Sequence, residues 1–180
     1  MPVMFAHHEQ SLRRFWNLGS IKRAFVGHLT SIEIAIRGAD RREVGVHSHS
    51  IIVLHRDYLS RQHDLYLDNP ALSALWGRAS RTDKPIVDIR RIKGADGSVD
   101  ADAIMGAVFE CAKYAIAPHK LFEHTSTGPV ADPDTMRLLL STLWKRRTVR
   151  YGGVVSEAQK LLRARKRHKT QPNSSENADA

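Results

Sequence analysis

The chain of 180 residues has little of what marks secreted, membrane-spanning or zinc-finger proteins. Its single cysteine, Cys111, cannot form an internal disulfide or build a cysteine-rich zinc site. No run approaches the roughly 20 consecutive apolar residues of a membrane span, and the N-terminus lacks the apolar core of a signal peptide. The sequence therefore predicts a soluble, cytoplasmic protein with no membrane partner, in which His, Asp or Glu would hold any metal.

Positive charge is concentrated in one part of the chain. The net charge is +9, yet residues 137–169 alone carry eleven Lys or Arg and one acid, while the rest carries 17 bases and 18 acids. Such a segment suits a phosphate backbone, because each neutralised phosphate releases condensed counterions. The structural alternative is a solvated basic helix and tail. The candidate nucleic-acid contacts are Lys145, Arg146, Arg147, Arg150, Arg163, Arg165, Lys166 and Arg167.

The pattern of apolar residues predicts five helices. Spacings of three and four residues mark helical faces, as in Leu12, Phe15 and Trp16. Asn69-Pro70 and Asp132-Pro133 have the composition of helix starts. The last ten residues have the composition of a disordered tail. The predicted helices cover 8–24 with a break near Gly19, 69–79, 98–117, 132–144 and 156–167.

Three stretches have the composition of strands. In 32–36 the isoleucines alternate onto one face, which leaves Glu33 on the other. A β-branched run over 44–54 follows a turn-rich segment, so these two stretches predict an antiparallel pair, and a short strand is predicted at 86–92. The order of elements indicates an α+β fold: a mostly antiparallel central sheet flanked by helices, with a basic C-terminal helix and tail.

The second predicted strand carries a pair of histidines. Residues two apart on a strand point to the same face, so His47 and His49 can present both imidazoles to one divalent cation. Glu33 is the acid that would supply a third ligand from the neighbouring strand. The alternative is two half-buried strand histidines, because a His-x-His pattern alone is weak.

A second group of reactive residues lies in the predicted helix 98–117. Glu110 and Tyr114 are one helical turn apart, beside a stripe of apolar residues. A phenol that acts as a nucleophile needs a cation nearby, which a metal or Lys113 could provide. A carboxylate one turn away could accept a proton or position water. The alternative is an exposed glutamate with a tyrosine at the edge of the core.

Four segments stand out together, in the order His47-Ser48-His49, LWGRASRTDKPIVDIRRIKG, VFECAKY and LWKRRTVRYGGVV. In this order they resemble the plasmid rolling-circle replication initiators (Rep proteins) of the HUH endonuclease superfamily. The resemblance covers about 25–155. It implies an HUH, RRM-like domain over 1–155 that binds and nicks DNA, followed by a basic helix and disordered tail over 156–180.

The resemblance also implies a reaction: nicking and joining of one DNA strand. His47, His49 and Glu33 would hold Mg²⁺ or Mn²⁺, and Tyr114 would attack the scissile phosphate, forming a 5′-phosphotyrosyl bond and releasing a 3′-OH. Glu110 would activate the water that ends the round, with Lys113 beside the tyrosine. The implied partners are a single-stranded or hairpin plasmid origin and the host replication helicase and polymerase.

Three departures from the family pattern keep an alternative open; one is Ala117, which stands three residues after Tyr114 where the family often has a lysine. In the family's longer histidine string the last two histidines are the metal pair, and in that register Ile51 stands where the second ligand is expected. Relatives also often carry an N-terminal cysteine-rich, arginine-rich segment without a counterpart here. The alternative is a truncated, non-catalytic, Rep-derived DNA-binding protein. An unrelated metal-dependent phosphodiesterase or RNA-binding domain is a third interpretation.

Overall fold

A computed structural model describes the sheet and helices over most of the chain, and it confirms the predicted α+β fold class. The described residues are 1–37, 43–60, 64–93, 96–111, 122–126 and 128–170. The helices in chain order are α1 (Pro2–Trp16), α2 (Gly19–Ala24), α3 (Asn69–Ser80), α4 (Ala101–Cys111), α5 (Pro133–Leu143) and α6 (Gly153–Thr170). The strands are β1 (Phe25–Arg37), β2 (Glu43–Leu54), β3 (Phe122–Thr125), β4 (Gly128–Ala131) and β5 (Val149–Gly152).

The central sheet is antiparallel and has the strand order β2-β1-β5, while β3 and β4 form a separate hairpin. The predicted pairing of the first two strands is confirmed, but β1 begins at Phe25 rather than near Ile32. Its first half was missed because polar residues replace the apolar alternation there. Thr30 is fully buried, and its Oγ1 lies 2.9 Å from Ser50 Oγ on the neighbouring strand.

One face of the sheet packs against α1 and α5. Phe5 and Leu12 of α1 meet Ile32 and Ile34 of β1, with Leu139 of α5 beside them. The predicted alternation of the isoleucines therefore holds, because residues two apart on β1 share this buried face. Burying these side chains contributes about 1.5–3 kcal/mol each, which fixes the register and directs the odd-numbered residues of β1 to the other face.

A second core cluster lies at the start of β1. It joins α2, β1 and α3 to the loop that follows β2, and Tyr58 closes that loop by donating a 2.8 Å hydrogen bond to the carbonyl of Leu67. The buried residues of this cluster are Ile21, Ala24, Phe25, Tyr58 and Leu72. The two clusters share Trp16, so α1 connects them.

The predicted helices exist, with changes at their ends. The break between the first two helices is confirmed at 17–18, and α1 starts at Pro2 rather than at residue 8. The residue that caps α3 is Asp68, not Asn69, because the Asp68 carboxylate accepts from the Ala71 amide. Asp132 caps α5 through the amides of Asp134 and Thr135.

The predicted strand at 86–92 is wrong. Among the described residues this stretch pairs with no other strand; Ile86 is 92% exposed, and Val87 packs against the second core cluster. β-branched residues favour a strand only where a partner edge is available. The strands β3, β4 and β5 were not predicted. The predicted helix end at Ala117 and the tail at 171–180 lie outside the described residues.

The longest helix is α6, with 18 residues from Gly153. It starts against β1 and β5, and from Lys160 to Arg167 every residue is exposed. None of the helices in the described part of the chain combines the length and apolarity that a membrane span requires.

Candidate metal centre and active site

Three potential metal ligands meet on the sheet face opposite the isoleucines. Glu33 Oε2 lies 3.1 Å from His47 Nε2 and 3.2 Å from His49 Nε2. Each residue offers one ligand atom, and these three atoms all lie within 4.8 Å of one another. All three side chains are partly exposed, so an ion and a substrate could both reach them from solvent. The structure thus brings together all three residues that the sequence predicted as ligands.

The strand register places these side chains. Glu33 on β1 stands directly opposite His47 on β2, and His49 stands opposite Ser31. Cross-strand partners share a face, as do residues two apart, so the carboxylate lies between the two imidazoles. A shift of one residue would move the histidines to the isoleucine face.

The geometry of the three residues fits a divalent cation. Neighbouring ligands of an octahedral ion at about 2.1 Å lie about 3 Å apart, which matches the separation of Glu33 Oε2 from each imidazole nitrogen. Two imidazoles and one carboxylate form the mixed nitrogen and oxygen set that transition ions accept, whereas Mg²⁺ prefers oxygen donors. Without an ion, each imidazole can donate a hydrogen bond to the carboxylate at these same distances.

The histidine on the buried face of β1 has a different role. The imidazole of His28 stacks on the indole of Trp16 at 3.8 Å and 3°, and its Nδ1 lies 3.0 Å from Thr30 Oγ1. Burial lowers the pKa of His28 to about 4, so the ring is neutral near pH 7. Gly152 lies against this ring, and a side chain at that position would overlap the imidazole. His28 is therefore a packing residue.

Helix α4 ends at the strands that carry the candidate ligands. Helices α1 and α5 occupy the isoleucine face, so α4 lies on the face of Glu33, His47 and His49. Cys111 is buried, and its thiol donates a 3.3 Å hydrogen bond to the carbonyl of His49. Burial raises the pKa of this thiol, which keeps the proton that the hydrogen bond needs.

The predicted catalytic residues are close in sequence to this end of α4. Glu110 immediately precedes Cys111 and is exposed. Lys113 and Tyr114 lie two and three positions beyond Cys111 in the sequence, outside the described residues. Their roles stay predictions.

The comparisons with known proteins agree with one another. The profile of the replication protein family (Rep_1) matches residues 4–179. The chain belongs to this family of plasmid replication initiators. A "Protein rep" of Streptococcus pneumoniae serotype 2 (strain D39 / NCTC 7466) is 27% identical over 154 residues, which is 85% of this chain and 44% of that protein. A "Protein rep" of Bacillus amyloliquefaciens is 28% identical over 167 residues, with 85% and 47% covered.

A third relative, a "Protein rep" of a Bacillus species, is 27% identical over 167 residues, which is 85% of this chain and 52% of that protein. This Rep-family chain therefore spans about half the length of the curated relatives it matches. No solved structure matches it.

In this Rep-family chain Glu33 faces His47 and His49 rather than Ile51. Ile51 shares a face with His47 and His49, but it stands opposite Leu29, two residue pairs beyond His49. The carboxylate contacts the imidazoles of His47 and His49. Ile51 thus departs from the pattern of the resemblance without removing the pair of histidines that faces the acid.

The basic residues predicted to bind DNA fall into two groups. Arg146 Nη1 lies 2.9 Å from Glu9 Oε2, Arg150 Nη2 contacts Glu9 Oε1, and both arginine side chains are about 30% exposed. These two guanidinium groups bind a carboxylate of α1 on the buried side of the sheet. The exposed group consists of Lys145, Arg147, Arg163, Arg165, Lys166 and Arg167.

Sequence reasoning missed two contacts that hold this arrangement together. Glu9 had no assigned role, because its partner Arg146 is 137 residues away and no local pattern links them. Cys111 was placed correctly on the buried stripe of its helix, but its hydrogen bond to the ligand strand had no signal in the sequence.

Proposed function

We propose that this chain is the nicking part of a plasmid replication initiator, which binds a single-stranded or hairpin origin and cleaves one strand. The observation that carries this proposal is the cluster of Glu33, His47 and His49 on an open sheet face in a chain of the Rep family. Residues 1–155 would form the nicking domain, and the basic helix and tail at 156–180 would add affinity for DNA.

The three ligands would hold a divalent cation next to the scissile phosphate. A bound Mg²⁺ or Mn²⁺ would supply Lewis acidity and offset the negative charge that develops on the phosphate oxygens. Two of the three donors are imidazole nitrogens, which supports a transition ion such as Mn²⁺ over Mg²⁺. Glu33 would orient both imidazoles through the contacts that it makes to each of them.

Tyr114 would be the nucleophile. Its phenolate oxygen would attack the phosphorus, the bond from phosphorus to the 3′ oxygen would break, and that oxygen would leave as a 3′-OH after taking up a proton. The 5′ side of the break would remain on the protein as a phosphotyrosyl ester. Lys113, next to it in the sequence, would offset the negative charge of the phenolate.

Glu110 would end the round by accepting a proton from water that hydrolyses the phosphotyrosyl ester. Its position supports this role: it is exposed, and the next residue is hydrogen-bonded to the strand of His49. A carboxylate there would be close in sequence to Tyr114 and close in space to the ligand strand.

One observation favours a second candidate, a non-catalytic Rep-derived protein that binds origin DNA. The two-histidine site lacks the histidine that the resemblance expects at Ile51. A site with three protein ligands still leaves coordination positions for a phosphate, so this departure alone does not separate the two candidates.

The experiment that separates them uses single-stranded oligonucleotides that tile the DNA flanking the gene, each with a fluorophore at its 3′ end. Nicking transfers the labelled 3′ segment to the protein, so fluorescence migrates with the polypeptide on a denaturing gel. We expect this adduct with Mn²⁺, and none with EDTA or with Tyr114→Phe. Tyr151→Phe, an exposed tyrosine on β5, is the matched control and should behave as wild type.

One result would contradict the assigned nucleophile, and another would contradict nicking itself. An adduct that persists in Tyr114→Phe would remove this tyrosine from the reaction. Binding of an oligonucleotide without any adduct, under conditions in which a full-length relative cleaves it, would support the non-catalytic candidate.

A further inference from the structure

The outer side of α5 carries an exposed tryptophan that the packing of the fold does not use. Leu139 and Thr142 face the core, whereas Met136, Leu140 and Trp144 recur every fourth residue along the opposite side. Leu140 is 62% exposed and Trp144 is 71% exposed. The other two tryptophans of the chain pack against the core clusters. Trp144 is thus the one tryptophan whose ring faces solvent.

This side of α5 forms an open groove of about 500 Å³. The groove is lined by Pro133, Met136, Arg137, Leu140, Ser141 and Trp144. Its lining is mostly apolar, with one arginine at the edge, and Trp144 closes one end.

A cation lies beside the exposed end of this groove, and a second exposed cation follows in the sequence. Lys145 Nζ lies 6.0 Å from the centroid of the Trp144 ring, at the outer limit of a cation–π contact. Arg147 follows two positions later and is exposed. Residues 135–156 contain no Asp or Glu at all. An exposed aromatic face with one cation beside it and a second cation three residues along the chain is suited to bind a base and its adjacent phosphates in single-stranded nucleic acid.

We propose that Trp144 stacks on an unpaired base of single-stranded DNA, while Lys145 and Arg147 bind the adjacent phosphates. This inference rests on the proposed function, which supplies the DNA, and it adds a binding subsite that the metal centre does not contain. Helix α5 packs on the isoleucine face, whereas Glu33, His47 and His49 occupy the other face of the sheet. The subsite would therefore hold DNA away from the scissile phosphate.

The charge of the groove decides between DNA and other occupants. A second copy of this chain, docked through the same groove, would bring Lys145 and Arg147 of both copies together, while the nearest acid of α5, Asp134, already pairs with Arg137 at the groove. A polyanion that carries aromatic bases matches both the indole and the cations. Stacking is tolerant of sequence, because every base has a π-face. We therefore expect the subsite to contribute affinity rather than recognition of the origin sequence.

The test uses the full chain and a 12-nucleotide oligo(dT) in EDTA, so that no cleavage occurs. Anisotropy of a fluorophore on the oligonucleotide measures binding, and tryptophan emission is recorded in the same titration. We expect bound oligo(dT) to quench most of the solvent-exposed emission. Trp144→Phe should lose this quenching yet bind within about twofold of wild type, because phenylalanine also stacks.

Two further variants isolate the stacking contact. Trp144→Leu keeps an apolar side chain without a π-face and should weaken binding roughly tenfold. Leu59→Ala, an exposed leucine outside the groove, is the control and should change binding less than twofold. If nicking is observed, Trp144→Leu should raise KM for the oligonucleotide and leave kcat unchanged, because α5 lies away from the metal site.

The outcomes separate the inference from the proposed function. Oligo(dT) binding with unchanged tryptophan emission, or wild-type affinity in Trp144→Leu, would overturn the stacking subsite and leave the nicking proposal standing. Quenching in a protein that never forms the Tyr114 adduct would support the subsite and contradict nicking. A concentration-dependent dimer in sedimentation velocity that Trp144→Leu abolishes would assign the groove to a second copy instead.

Discussion

Glu33 is the residue on which the candidate metal site depends, because a single carboxylate oxygen lies within 3.2 Å of two imidazoles. Without it, His47 and His49 would be two adjacent strand histidines with no shared acid. Its position also explains why the pair at 47 and 49 forms the site, since Glu33 stands opposite His47 in the strand register. The alternation of the isoleucines around Glu33 was sufficient to predict which face it occupies.

Replacing Glu33 tests the metal site directly. Glu33→Gln keeps the shape of the side chain but removes the charged ligand, so we expect Mn²⁺ affinity to fall by at least about tenfold. Isothermal titration of Mn²⁺ into metal-free protein measures this change. Glu157→Gln, an exposed acid on α6, is the control and should bind Mn²⁺ as wild type does. Equal Mn²⁺ affinity in Glu33→Gln would remove Glu33 from the ligand set.

At the scale of elements, the sequence predicted those strands and helices whose signals are local. The β-branched run of β2 and the Asp132-Pro133 start of α5 each specify their element without help from distant residues. β5 has only four residues, one of them a glycine, and it forms by pairing with β1 more than 110 residues earlier. The end of α4 is joined to the strand of the candidate metal ligands by a hydrogen bond between Cys111 and His49, 62 residues apart. Contacts between such distant residues produce no periodic pattern in the sequence.

The Glu9 ion pairs show how distant elements are joined, because they connect α1 to β5 and to the turn before it. Glu9 is 17% exposed and binds both Arg146 and Arg150, so Glu9→Gln would leave two partly buried guanidinium groups without a carboxylate. We expect the free energy of unfolding to fall by about 2 kcal/mol, less than for a fully buried pair because the arginines keep some solvent contact. Urea denaturation of wild type and Glu9→Gln measures this free energy of unfolding.

The matched control for Glu9 is Asp88, which lies 2.8 Å from Arg90 in an exposed ion pair. Asp88→Asn should change stability by less than about 0.5 kcal/mol, because solvent screens such a pair. If Asp88→Asn lowers the free energy of unfolding as much as Glu9→Gln does, burial does not strengthen the Glu9 contacts.

At the scale of the whole molecule, the candidate metal ligands, the groove of Trp144 and the exposed cations lie on different elements. The candidate ligands lie on one sheet face, the groove of Trp144 lies beyond the other, and α6 carries exposed cations along its second half. The whole positive excess belongs to residues 137–169, so composition alone predicted that an anionic partner would meet this segment. Composition could not predict that Arg146 and Arg150 would bind Glu9, because that depends on how α1 packs.

The division of the basic residues predicts which of them set the salt dependence of DNA binding. Each phosphate contact on a single strand contributes about 0.7 to the slope of log K against log salt. Replacing the four predicted contacts of α6 by glutamine should therefore reduce the slope by up to about 3. The replaced residues are Arg163, Arg165, Lys166 and Arg167.

A control variant with equal charge loss shows whether position or net charge matters. Glutamine at four exposed bases outside the basic segment removes the same charge and should leave the slope within about 0.5 of wild type, because non-contacting charges release few counterions. These control residues are Lys22, Arg23, Arg91 and Lys93. Equal reductions in both variants would show that DNA responds to the net charge of the whole molecule, and α6 would then have no special place in binding.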